Sequence, residues 1–123
     1  RKYLESTVVQ YVYFYRDLCQ IDIRNEIDWN EKKILLRAYF PVDIHTNEAT
    51  YEIQYGNVRR PTHYNTSWDE ARFEVCAHKW LDVSEDGYGI SVLNDCKYGC
   101  DVHNGRIGLT MLKSADLSES RCR

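Results

Sequence analysis

Proline and glycine are scarce, with two prolines and six glycines in 123 residues. No Gly-rich phosphate-cradling loop and no G-x-S-x-G nucleophile elbow occurs, so two self-announcing classes of active site are missing. Excess positive charge is missing too. Lys and Arg total 16 against 19 Asp and Glu, which gives a net charge of −3 and a pI near 5.8. A basic face for general nucleic-acid binding is therefore absent. No apolar run reaches the length of about 18 residues that a membrane-spanning helix needs. The paired short spacings of a structural zinc site are not there either. His45, His63, His78 and His103 are scattered, Cys96 and Cys100 sit four apart, and Cys76 and His78 share one side of a strand. No metal site is expected within the chain.

What is present is an ordinary globular balance with many aromatics. Apolar residues make up 43% and charged residues 28%, with ten Tyr, three Trp and three Phe. One domain of this length removes roughly two-thirds of its unfolded surface from water. Tyr, Val, Ile and Phe fit pleated, half-buried surfaces, and the pattern reads as short strands. Residues 7–15 alternate with both faces apolar, which predicts a strand covered on both sides. Residues 19–29 give a second strand, with Ile21, Ile23, Ile27 and Trp29 on one face. Residues 33–40 give a third, with Ile34, Leu36, Ala38 and Phe40 inward, and Pro41 ends or edges it. Residues 50–55 form a fourth strand stopped by Gly56, followed by a long polar loop over 57–72 with one helical turn at 67–72. Residues 73–81 read as one strand with Phe73, Val75, Ala77 and Leu81 inward. Asp86-Gly87 is a turn, Ile90 and Val92 mark a sixth strand, and Asn104-Gly105 is a hairpin signal between 98–103 and 106–113. The fold class is all-β, an antiparallel sandwich over 1–113 with a flexible tail over 114–123.

Five cysteines, an odd number without small-domain spacing, fit a reduced cytoplasmic protein better than a disulfide scaffold. All five are expected to be thiols, with Cys96 and Cys100 the pair closest to an exception. Asp and Glu are too plentiful for composition to choose a catalytic pair. The loop from Arg59 to Asp69 stands out as a dense set of hydrogen-bonding groups. Its plainer reading is a self-satisfied loop with Trp68 packed as an anchor and Asn65 or Asp69 capping a turn. Asn65-Thr66-Ser67 also has the form of a glycosylation sequon.

A series of motifs then runs in order. It comprises Asp28-Trp29-Asn30-Glu31, Phe40-Pro41-Val42, the stretch from Ala49 to Gly56, Arg60-Pro61-Thr62-His63 and Asn65-Thr66-Ser67-Trp68-Asp69. It continues through residues 71–75, His78-Lys79-Trp80, Ser84-Glu85, Tyr88-Gly89, Leu93-Asn94-Asp95 and Lys97-Tyr98-Gly99. From about Ser6 to Ser114 this series resembles the C-terminal β-sandwich region of family-38 α-mannosidases of the cytosolic and bacterial type. The resemblance implies an incomplete segment of a mutarotase-like super-sandwich within a much longer polypeptide. It implies a retaining exo-glycosidase that releases terminal α-linked mannose. The nucleophile, acid/base and zinc ligands would lie in a preceding catalytic barrel, itself followed by a helical domain. No catalytic residue, metal ligand or cofactor is carried onto this chain, which is expected to be inactive alone. Asn94, Asp95, Lys97 and Tyr98 are carried over as substrate-binding residues at the rim of the sugar site, with Asp95 orienting Lys97. Arg60, His63, Asn65, Trp68 and Asp69 are carried over as an interdomain or site-rim loop. The implied partners are the barrel and helical domain of the same polypeptide and a mannose-terminated oligosaccharide, not nucleic acid or membrane. Residues 115–123 depart from the family pattern, so the chain is expected to be a fragment whose open sheet edge is available to a second copy. The alternative is a free-standing carbohydrate-binding or protein-interaction sandwich with Trp29, Trp68 or Trp80 as sugar platforms.

Overall fold

The computed structural model describes residues 2–3 and 5–114. The elements are β1 (Lys2–Tyr3), β2 (Ser6–Phe14), β3 (Ile21–Asp28), β4 (Leu35–Pro41), β5 (Glu48–Ile53) and β6 (Gly56–Pro61). They continue with α1 (Ser67–Ala71), β7 (Val75–Cys76), β8 (Trp80–Glu85), β9 (Tyr88–Leu93), β10 (Gly99–His103) and β11 (Arg106–Lys113). The contacts divide the chain into two compact units, residues 1–34 with 114–123, and residues 35–113.

The larger unit is the expected antiparallel sandwich. One sheet has the order β4-β11-β10-β7 and the other β6-β5-β8-β9. The central strands of both sheets alternate, and their inward residues make one core. Cys100, Val102, Ile107 and Leu109 come from the first sheet and Ala49, Tyr51, Leu81 and Val83 from the second, all buried. Each large apolar side chain so enclosed contributes about 1.5–3 kcal/mol. The β10–β11 hairpin turns at Asn104-Gly105, with His103 opposite Arg106. Both turn residues have positive φ, 51° and 65°, as a tight hairpin that follows strand twist requires. Pro41 ends β4, an edge strand, where its missing N–H breaks no ladder.

Four expectations fail in this unit for identifiable reasons. The long loop over 57–72 is largely structured. Residues 56–61 form β6, paired in full register with β5 from Glu48–Pro61 to Ile53–Gly56. The strand was hidden because Arg60 sits on the same face as Val58 and lays its guanidinium over the Tyr51 ring at 5.9 Å. Gly56 does not stop β5; Tyr55 takes the left-handed turn position (φ 62°) and Gly56 opens the next strand. Residues 73–81 are not one strand. β7 belongs to the first sheet and β8 to the second, with buried Ala77 between them, while Phe73 is exposed. The helical turn is present, but its N-cap is Thr66. Thr66 Oγ1 accepts from Asp69 N–H while the Asp69 carboxylate accepts from Thr66 N–H, a capping box. Trp68 is not an anchor: it is 76% exposed.

The smaller unit holds the sheet β1-β2-β3, a long hairpin with a two-residue edge strand. Its β2–β3 register runs unbroken from Thr7–Asp28 to Phe14–Ile21. The strand expected to be covered on both sides is covered on neither: Tyr11, Val12, Tyr13 and Phe14 are all exposed. The unit's fixed point is buried Ser6, whose hydroxyl accepts from Asn30 N–H (2.8 Å) and donates to Glu31 Oε1 (3.1 Å). Of the tail expected over 114–123, only Ser114 lies within the described residues. Its N–H and hydroxyl both donate to the Ile34 carbonyl.

Candidate functional site

The 94–99 turn joins β9 to β10. Asn94 fixes it. Its N–H donates to the Lys79 carbonyl (2.8 Å), and its Oδ1 accepts from Lys97 N–H (2.6 Å). The Asn94 side-chain oxygen is thus spent in holding the turn. Asp95, Cys96 and Tyr98 are exposed, and Lys97 is half-buried. A hydrogen bond to Asp95, more than slight desolvation, pushes the Cys96 thiol up. Among the described residues Asp95 and Lys97 form no ion pair, so the orienting contact read from the sequence is not made in this structure.

The neighbours of this turn were not singled out as site residues. Tyr98 meets the His78 ring edge-on at 5.5 Å, and Gln54 Nε2 lies 3.3 Å from His78 Nε2. Glu52 holds the crossing segment, its carbonyl accepting from His78 N–H (3.2 Å) and its carboxylate from Lys79 N–H (2.6 Å). His78, Lys79, Asp95 and Tyr98 thereby line one shallow open hollow. Hydrogen-bond donors and acceptors around an aromatic edge suit recognition of a polyhydroxylated ligand.

The second set divides. Arg60, His63 and Asp69 line a narrow cavity with Tyr51, Tyr64, Arg72 and Asp101, whereas Asn65 and Trp68 do not. His63 Nδ1 lies 3.9 Å from Asp69 Oδ2. Tyr64 stacks on His103 at 3.8 Å, and the His103 Nδ1 is 3.0 Å from the Thr62 carbonyl. Trp29 and Trp80 are half-buried, so a row of three exposed indoles does not form.

Beside this cavity the outer face of the first sheet carries a buried ion pair, Arg37 with Asp101. It lies over Gly108, where any Cβ would collide with the Asp101 carboxylate and the Arg37 guanidinium. Arg106 and Arg37 both stand against the Tyr39 ring, at 4.6 and 5.3 Å. Sequence reading missed Asp101. The available signal was a charged residue opposite a glycine in the hairpin register. Among the described residues no group of three or more His, Cys, Asp or Glu gathers to hold a metal ion, so they do not fit the zinc that the resemblance implies.

Residues 1–117 match the Glycosyl hydrolases family 38 C-terminal domain. The chain is 47% identical over 117 residues to Alpha-mannosidase G of Dictyostelium discoideum, covering 95% of this chain and 11% of that relative. It is 49% identical over 94 residues to human Alpha-mannosidase 2C1, covering 76% and 9%. It is 48% identical over 98 residues to Alpha-mannosidase of Saccharomyces cerevisiae, covering 79% and 9%. The chain thus spans about a tenth of the length of the curated relatives it matches. With a match across nearly the whole chain and the sandwich in place, the chain belongs to the glycosyl hydrolase family 38 C-terminal domain family.

Proposed function

We propose that the chain serves as the C-terminal β domain of a retaining enzyme that hydrolyses terminal α-linked mannose, with its 94–99 turn at the rim of the sugar site. The nucleophile, acid/base and zinc ligands then belong to a catalytic barrel elsewhere in the same polypeptide, and the 60–69 segment packs toward that barrel. One observation carries the rim reading. Asn94 locks the turn backbone from within, while Asp95 and Tyr98 stay exposed and the Lys97 charge is committed to no carboxylate among the described residues. Packing alone does not need those groups there; hydroxyl recognition does.

The test is Lys97→Met in the full-length enzyme, which keeps the stem and removes the charge. Losing one charge-assisted hydrogen bond costs about 1.5–3 kcal/mol, read as a loss of about ten- to a hundredfold in kcat/KM. Wild-type kinetics at an unchanged melting temperature would remove Lys97 from the rim. The isolated chain should release no mannose from an aryl α-mannoside, with or without zinc, and zinc-dependent turnover by it would overturn the division of labour.

The reading includes a cytoplasmic setting, supported by Cys19, Cys76, Cys96 and Cys100 all being free. Intact mass before and after alkylation of the denatured native protein tests it. A two-dalton deficit with one protected pair would count against it.

A further inference from the structure

The two ring nitrogens of His78 have different surroundings. Nε2 lies 3.3 Å from the side-chain nitrogen of Gln54. An amide nitrogen carries hydrogens and offers no lone pair, so in that contact Gln54 donates. His78 Nε2 therefore accepts, and the bond made at one nitrogen fixes the proton on the other, Nδ1. Among the described residues Nδ1 makes no hydrogen bond, and it is not one of the enclosed polar atoms left without a partner. It is an N–H donor open to solvent.

The ring is held in place from several sides. Tyr98 meets it edge-on at 5.5 Å. Its own backbone N–H and that of Lys79 both end on Glu52. Ala77 N–H donates to the Tyr98 carbonyl at 3.0 Å, and the Lys79 carbonyl accepts from Asn94 N–H, so the segment carrying His78 is tied to the 94–99 turn at both ends. Yet His78 is only half-buried, and its ring joins no apolar core. Packing alone would not need a nitrogen at this position. We infer that His78 is a ligand-contacting residue of the rim, its Nδ1–H donating to a hydroxyl oxygen of a neutral polyol, with Gln54 setting the tautomer. The inference rests on the rim reading of the 94–99 turn and adds a residue from outside that turn.

The other groups around the hollow select that ligand class. His78 lines it with Lys79, Asp95 and Tyr98. The Lys79 ammonium donates and the Asp95 carboxylate accepts, and their charges are opposite. An anion would be repelled by Asp95 and a cation by Lys79. A hydroxyl group both accepts and donates, so a neutral polyol meets every group there with a complementary one. A donor on His78 Nδ1 completes the set, because it gives the hydroxyl oxygen a second N–H without adding charge.

The test is steady-state kinetics of the full-length enzyme on a mannose-terminated disaccharide, with three substitutions that separate the two nitrogens. His78→Phe keeps a ring against Tyr98 and removes both. His78→Asn places an amide nitrogen near the Nδ1 position, and His78→Gln places one near the Nε2 position. All three keep the backbone bonds to Glu52, so melting temperatures should stay near that of the wild type. His78→Phe and His78→Gln should each lose about three- to tenfold in kcat/KM, the loss of one neutral hydrogen bond. The loss should appear in KM with kcat unchanged, since a rim hydroxyl is held equally in the ground and transition states. His78→Asn should lose about twofold or less. Wild-type kcat/KM in His78→Phe overturns the inference. So does rescue by Gln and not by Asn, which would make Nε2 the contacting atom. An equal loss in all three overturns it too, in favour of a packing role. Lys97→Met measured alongside keeps the two readings apart. A loss there with wild-type kinetics in His78→Phe overturns the His78 inference alone, whereas wild-type kinetics in both variants overturns the rim reading with it.

Discussion

The hairpins β2–β3 and β10–β11 are built alike and end differently. Both are antiparallel, and both put apolar residues opposite one another along one face. In β10–β11 those residues, Cys100, Val102, Ile107 and Leu109, are at most 6% exposed. In β2–β3 their counterparts Val12, Phe14, Ile21 and Ile23 are at least 38% exposed. The difference is the second layer. Residues 48–53 and 80–85 supply a facing sheet to β10–β11, whereas β2–β3 has no second sheet among the described residues of its own unit. Alternation therefore specifies which face is to be buried, and a facing layer decides whether it is.

The comparison can be broken hardest at the buried charge. Asp101→Ala strands the Arg37 guanidinium beneath Tyr39, and loss of one partner of such a pair costs about 3–5 kcal/mol. Chemical denaturation of the variant measures it; a cost under about 1 kcal/mol would mean that the pair is solvated. Next comes the direct contrast of two isoleucines. Ile107→Ala should cost about 2–5 kcal/mol, whereas Ile23→Ala in residues 1–123 should cost under about 1 kcal/mol. If the Ile23 variant costs as much as the Ile107 variant in the full-length protein, the two hairpins become equivalent once covered.

Alkaline pH sharpens the same contrast. Burial pushes the Cys100 thiol from 9.0 up to about 12 and raises Tyr51 from 10.0 as well. Both groups are held neutral in the fold. Their stabilisation is complete below the unfolded-state values and is lost as pH rises past 9 and then past 10, at most about 1.4 kcal/mol per pH unit for each proton. Denaturation midpoints between pH 8 and 11 should fall for the sandwich, and Tyr51→Phe should flatten the upper part of that fall. The smallest effect is local. Thr66→Ala removes half of the capping box and should cost about 1 kcal/mol without moving kcat/KM.

The sandwich was legible because its central strands obey a period of two and its turns carry their own chemistry. Asn104-Gly105 and Asp86-Gly87 announced hairpins, and Pro41 announced an edge. What stayed hidden had a physical reason in each case. Arg60 faces inward in β6 and broke the alternation, so a strand looked like a loop. Residues 75–81 change sheets at Ala77, and a continuous apolar pattern gave no sign of the change. Around the 94–99 turn the polar residues were legible as a cluster. The contribution of His78 and Lys79 was not, since it depends on Glu52 holding a segment distant in sequence. Asp101 was unreadable until the hairpin register set it beside Gly108.

Cys100 has a practical consequence. Its sulfur is buried between the two sheets and donates to the Val75 carbonyl at 3.4 Å, while Cys19, Cys76 and Cys96 are exposed. An alkylating reagent should therefore modify three of these thiols promptly and reach Cys100 only when the sandwich opens. The chain carries its own unfolding clock. The time course of one cysteine-containing peptide in a digest would report how often this β domain breathes inside an intact protein of any size, without a dye, a tryptophan signal or a purified fragment.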